Sequence, residues 1–211
     1  LRIFGWVKYT NRKNIKTTLI NPNIMGIFSY VPFMECNHGV LCMKNNANGI
    51  IKLNEEKLIL NNGIGYIEKD CGTSFPKSYV WVQGNNFKNN NVSFMMSVAD
   101  IPFSFFNFTG FLCSLIIDDK EYRFATYNNA KLIKYEVKNN FLNIILKKGK
   151  YYLEVNSKYS KGLNLIAPVK GKMNKDINES ISSNIHVTLK EKDKIIFSGT
   201  SKNCGLEIVT K

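Results

Sequence analysis

The densest concentration of side chains able to do chemistry lies between Gly63 and Asn85. Tyr66, Glu68 and Asp70 are spaced two residues apart, and Tyr79, Trp81, Gln83 and Asn85 repeat that spacing beyond a corner marked by Gly72 and Pro76. Residues two apart on a strand share a face, so each set lines one side of its strand while Ile67, Lys69, Val80 and Val82 face the other. If the two strands pair, two carboxyls, two phenols, an indole and two amides line one surface. Two readings of that surface are open. A solvent-facing sheet carries such alternation as a matter of course. Inside a barrel, apolar surroundings raise a carboxyl pKa and make the group a general acid, while Trp and Tyr rings stabilise a nearby cation.

A second cluster runs Pro32-Phe33-Met34-Glu35-Cys36-Asn37-His38-Gly39, and His38 is one of only two histidines, with His186. No second His stands at zinc-ligand spacing from either, and Cys36 with His38 supplies too few ligands, so no metal is expected. There is no G-x-x-x-x-G-K-[ST] loop, G-x-S-x-G elbow or G-x-G-x-x-G turn, which leaves nucleotide hydrolysis, serine hydrolase chemistry and dinucleotide oxidoreduction without support. The run Phe103-Ser-Phe-Phe-Asn-Phe108-Thr-Gly-Phe111 reads as core, a hairpin tip or a cavity wall, and suits an apolar ligand better than a polar one.

The elements that must position these residues are strands. Short segments rich in Ile, Val, Phe and Tyr alternate with turn chemistry at Asn45 to Gly49, Asn61 to Gly63, Asn89 to Asn91, Asp118-Asp119, Lys138 to Asn140, Lys148 to Lys150 and Glu191 to Lys194. That pattern predicts an up-and-down antiparallel barrel, with 63–70 and 79–87 among its successive strands. Residues 170–183 are polar without alternation and read as a loop or a short helix. Five cysteines without a C-x-x-C are expected to be free thiols.

Composition bounds the partners. The chain has 211 residues and a net charge of +13, yet among its 29 basic residues only Arg2, Arg12 and Arg123 are Arg. Sites that read phosphates or bases favour the Arg fork, so no nucleic-acid partner is expected. The Lys excess reads as a solvated surface with at most weak attraction to anionic membranes. No charged-then-apolar segment opens the chain, which gives a cytoplasmic expectation with a peripheral membrane association.

The sequence resembles the tocopherol cyclase family. The resemblance rests on Pro22-Asn23-Ile24-Met25-Gly26, Phe28-Ser29-Tyr30-Val31-Pro32-Phe33-Met34-Glu35-Cys36 and His38-Gly39-Val40. It continues through Gly65-Tyr66-Ile67-Glu68-Lys69-Asp70, Gly72, Ser74-Phe75-Pro76, Trp81-Val82-Gln83, Asn85 and Ala167-Pro168. It implies an all-β fold, an antiparallel lipocalin-like β-barrel over 36–211 preceded by a remnant or linker of an N-terminal half over 1–35. A distant kinship to the carotenoid hydratase group goes with it. The implied activity is ring closure of a prenylated phenol to a chromanol, by protonation of the prenyl double bond and capture of the tertiary cation by the phenolic oxygen. No cofactor is needed for that step.

Within this reading Glu68 or Asp70 is the acid, Trp81 and Tyr79 stabilise the cation, and His38 orients the phenol; Tyr66, Gln83 and Asn85 complete the substrate-binding set. Cys71 stands where family members commonly carry Trp, which implies an altered pocket wall and a different substrate. The alternatives are hydration, another isomerisation, or a non-catalytic lipocalin-like carrier of a prenyl or other lipid.

Overall fold

A computed structural model of the chain describes residues 1–32, 34–103 and 106–210. Phe33, Ser104 and Phe105, which belong to the sequence blocks quoted above, lie outside the described residues. Among the described residues thirteen strands form two antiparallel sheets, accompanied by two short 3-10 helices.

The smaller sheet is made of β1 (Ile3–Lys13), β2 (Cys36–Leu53) and β3 (Glu56–Gly72), ordered β1-β2-β3. The larger sheet contains β4 (Tyr79–Gly84), β5 (Val92–Phe103), β6 (Phe106–Ile117), β7 (Lys120–Ala125), β8 (Lys131–Lys138), β9 (Phe141–Lys148), β10 (Tyr151–Lys158), β11 (Leu163–Val169), β12 (Lys172–Glu191) and β13 (Lys194–Val209). Its path is β7-β6-β5-β4-β13-β12-β10-β9-β8, with β11 beside β12. Several connections are the tight hairpins that the turn chemistry predicts. Asp118 and Asp119, Asn139 and Asn140, and Gly149 take the positive φ angles that such turns demand.

The all-β, lipocalin-like antiparallel architecture is present, with one difference in closure. The large sheet curls until its two ends meet through side chains: Tyr122 of β7 lies 5.5 Å from the Tyr151 ring of β10, and Lys148 of β9 donates to the Arg123 carbonyl. Among the described residues no backbone ladder joins β7 to β8. The concave face is filled by alternating apolar side chains, including Val80 and Val82 of β4, Phe94 and Met96 of β5, Leu142, Ile144 and Leu146 of β9, Leu153 of β10 and Val187 of β12.

The convex face over β4, β5, β6 and β13 is covered by the small sheet and by residues 14–32. A second apolar cluster of Ile15, Ile24, Met25, Val40, Met43, Met95 and Ile116 lies between the two layers. Arg123 and Glu121 tie the covering segment down through the Lys16 carbonyl and amide, and Tyr127 donates to the Ile24 carbonyl at 2.8 Å. Gly26 has φ +57, and a Cβ there would come within 2.6 Å of the Tyr127 ring, so the close approach needs glycine.

Three sequence expectations change. The Asn45 to Gly49 and Asn61 to Gly63 clusters lie inside β2 and β3 rather than in turns. Asn62 takes φ +51 at an irregularity in the ladder and its amide donates to the Asn48 side chain, so the cluster makes a bulge. Residues 172–183 are strand, the first part of β12, instead of a loop or helix. Register shifts between Ser180 and Ile185 change which residues face inward, which erases the alternation from the sequence. The strands carrying Glu68 and Trp81 do not pair: β3 belongs to the small sheet, and β4 runs between β13 and β5. Part of the segment 1–35 forms β1, paired to β2 from Ile3 to Lys13, and the two sheets divide between Gly72 and Tyr79. Among the described residues no helix is long and apolar enough to cross a membrane.

Candidate functional site

A cavity lies between the layers, on the convex side of the curled sheet. Its empty volume is about 890 Å³, mouth included. The register across the large sheet builds one wall. Glu207, Trp81, Ser97 and Leu112 form one cross-strand row, and Val209, Tyr79, Ala99 and Gly110 form the next. Small side chains at Ser97, Ala99 and Gly110 leave the room that the cavity occupies. The opposite wall comes from β2 and β3, where His38 pairs with Asp70 and Val40 with Glu68. Met25 and Phe28 close it from the covering segment, and the Ser74-Phe75-Pro76 loop forms its rim, held against β11 by Phe75 N to the Pro168 carbonyl at 3.1 Å.

The polar groups form two sets, one of His38, Asp70, Glu68, Tyr66 and Trp81 and one of Tyr79 and Glu207. His38 Nδ1 and Asp70 Oδ1 are 2.7 Å apart. His38 Nε2 is buried without a hydrogen bond, 3.5 Å from Glu68 Oε2. That carboxyl oxygen accepts from the Tyr66 hydroxyl and from Trp81 Nε1 at 3.1 Å. Separately, Tyr79 donates to Glu207 Oε2 at 2.6 Å. The cavity therefore carries three carboxyls and one imidazole, and no Lys or Arg lines it among the described residues.

Electrostatics follow from that imbalance. Burial raises the Glu68 pKa, and Asp70 pushes the same way; His38, Tyr66 and Trp81 oppose the shift without cancelling it. Burial alone would hold His38 neutral, but the Asp70 hydrogen bond and the charges of Glu68, Asp70 and Glu207 outweigh it and raise its pKa. Burial raises Glu207 as well, against the Tyr79 hydrogen bond. The Cys36 thiol on the same wall is pushed up to about 12, chiefly by burial, and is held as the neutral thiol. The arrangement can thus hold a proton on a carboxyl facing aromatic rings in a largely apolar space, which is what protonation of a weakly basic carbon requires.

The site residues named from the sequence divide into two places. Glu68, Asp70, His38, Tyr79 and Trp81 line the cavity, whereas Tyr66, Gln83 and Asn85 line an adjoining polar one. Tyr66 connects the two through its hydroxyl on Glu68. Asn85 binds the Met43 carbonyl at 2.7 Å, which fastens the small sheet to the large one. The polar and aromatic set sits outside the filled barrel interior, under the small sheet, so neither of the two placements open from the sequence describes it. Cys71 is exposed and is not among the residues that line the cavity.

Sequence reasoning missed Glu207, Ser97, Ala99 and Gly110. The only signal for Glu207 was an acid between Leu206 and Ile208 in an alternating strand, and register alone brings it opposite Trp81. His38, Glu68 and Asp70 offer ligand atoms within 4.8 Å of one another, a spacing that could hold a metal ion. Hydrogen bonds already occupy His38 Nδ1, Asp70 Oδ1 and Glu68 Oε2. All five cysteines are free.

Fold and site define a lipocalin-like antiparallel β protein with an acid-bearing, aromatic pocket between two sheets. The family model described as tocopherol cyclase-like matches residues 4–210, and the chain belongs to that family. No curated protein matches the sequence. Among solved structures, CghA with Sch210972 is similar at a TM-score of 0.61 and 9% identity, over 100% of this chain and 62% of that one. Another CghA structure gives 0.59, with the same identity and coverage. Kievitone hydratase from Nectria haematococca gives 0.50 at 14% identity, over 85% of this chain and 56% of that one. At these identities the likeness is one of fold, and the chain spans 56% to 62% of the length of these structures.

Proposed function

We propose that the protein is an acid-catalysed cyclase that closes a prenylated phenol to a chromanol in the inter-sheet cavity. The observation that carries this reading is Glu68, a carboxyl whose pKa is raised by burial, set against the Trp81 indole and beside the His38–Asp70 pair. Glu68 delivers its proton to the alkene carbon. The Trp81 and Tyr79 rings stabilise the tertiary cation, and the phenolic oxygen captures it. The new C–H and C–O bonds replace the alkene π bond and the phenol O–H bond, so product and substrate are isomers and no redox partner is needed.

Asp70 fixes the His38 ring, and His38 faces the Glu68 carboxyl and sets its charge. Met25, Phe28 and Phe108 offer an apolar bed for the prenyl chain. A prenyl lipid is the ligand this reading implies, and the Lys-rich surface gives the protein a weak, peripheral attraction to the anionic membranes that hold such lipids.

Incubation with a prenylated hydroquinone in D2O tests the reading. Each turnover places one deuterium on carbon, so the chromanol appears at its own retention time one mass unit heavier. Binding without conversion, unchanged in Asp70→Asn and Glu68→Gln, would instead establish a carrier of hydrophobic ligands.

A further inference from the structure

Ring closure releases a proton as well as consuming one, and Glu68 accounts only for the proton consumed. Glu207 lies directly across the ladder from Trp81 and lines the same cavity as Glu68. Its Oε2 is held by the Tyr79 hydroxyl at 2.6 Å, and its Oε1 takes no hydrogen bond from the described residues. The β4 to β13 ladder is complete from Tyr79 to Gln83, so the sheet does not need the Tyr79–Glu207 bond to hold its strands together. The neighbouring side chains Leu206 and Ile208 belong to or pack against the filled interior.

We propose that Glu207, positioned by Tyr79, is a second proton-handling group of this cavity: it binds the hydroxyl of a phenolic ligand and accepts its proton as the oxygen closes on the cation. The inference rests on the cyclase reading for the second half of that statement and on geometry alone for the first. The proton given up by Glu68 forms the C–H bond, the phenol oxygen forms the C–O bond, and its proton passes to the Glu207 carboxylate. Exchange with solvent then returns both carboxyls to their starting states. Once the oxygen carries the new C–O bond its proton is strongly acidic, so a carboxylate is a sufficient base. The charged and titratable groups around Glu207 are Tyr79, Glu179 directly opposite on β12, His38, Glu68 and Asp70 in the same cavity, and Lys175 over the Tyr79 ring.

The test compares binding of 2-prenylphenol and its methyl ether, 2-prenylanisole. Trp81 fluorescence reports binding in a Trp6→Phe background, because Trp6 is exposed on β1 and is the only other Trp. The parent is expected to prefer the phenol by about tenfold, the value of a hydrogen bond to a charged acceptor. Glu207→Gln should reduce that preference to about threefold or less, and Glu207→Asp, which withdraws the carboxyl by one methylene, should reduce it part of the way. Glu68→Gln should leave it intact. Full preference in Glu207→Gln, or its loss in Glu68→Gln, overturns the assignment. An intact preference lost only with Glu207, together with no chromanol from any variant, upholds the hydroxyl subsite while overturning the cyclase reading.

Discussion

Glu68→Gln separates the acid from the groups that position it. Gln keeps a carbonyl oxygen where Glu68 Oε2 accepts the Tyr66 hydroxyl and the Trp81 indole N–H, so the fold and the neutral-ligand affinity should be retained. Alanine is the wrong probe, because it leaves two donors without an acceptor and costs about 2–4 kcal/mol of stability. The amide cannot supply a proton. Loss of a positioned general acid slows catalysis by about 10²–10⁴, equivalent to roughly 3–5 kcal/mol of barrier. Asp70→Asn acts chiefly through His38, whose Nδ1 it holds at 2.7 Å, and also removes a charge that helps to raise the Glu68 pKa. A charge-assisted bond contributes about 1.5–3 kcal/mol, and the Asp70 side chain is 29% exposed, so the lower end applies and kcat should fall about tenfold. The assay is deuterium-labelled chromanol formation under saturating substrate. Asp70→Asn slower than Glu68→Gln, or Glu68→Gln within about threefold of the parent, would refute the assignment of Glu68 as the acid.

Three further outcomes follow from the same geometry. Glu68, Glu207 and His38 all have raised pKa values in the folded state, so the folded protein binds more protons than the unfolded chain and their contribution to stability is lost as pH rises. Urea titrations from pH 4 upward should show that loss, and a Glu68→Gln, Glu207→Gln double variant should flatten it. Trp81→Leu should weaken binding of a prenyl-chain tertiary ammonium by about tenfold more than binding of its neutral carbon isostere, measured calorimetrically, because it removes the face that stabilises a cation; equal losses would refute that role. Lys44 is 8% exposed and its ammonium spans from the small sheet to the Asn85, Asn90 and Val92 carbonyls. Lys44→Met should destabilise the protein by about 1–3 kcal/mol in urea unfolding, through carbonyls left unpaired.

Most of the site's chemistry was legible locally. Two-residue spacing put Tyr66 with Glu68 and Tyr79 with Trp81 on common faces, because side chains alternate on any strand whatever it pairs with. Spacing could not say which sheet each strand joins. Gln83 shares the Trp81 strand and Asn85 follows its end, yet they fall beyond the cavity, since the Tyr66, Glu68 and Trp81 contacts partition the inter-sheet space.

The sequence by itself determined an antiparallel all-β chain, its tight hairpins, its free thiols and the acid-and-aromatic character of its central block. These follow from backbone preferences and from side-chain types that act within a few residues. Only the tertiary structure decided that the block faces a second sheet rather than a barrel interior, that His38 meets Asp70 and Glu68, and that Glu207 joins them from the last strand. Those placements depend on register and sheet-on-sheet packing between residues as far apart as Glu68 and Glu207. Bulges such as those between Ser180 and Ile185 shift register by single residues, and each such shift changes the face on which every following side chain lies.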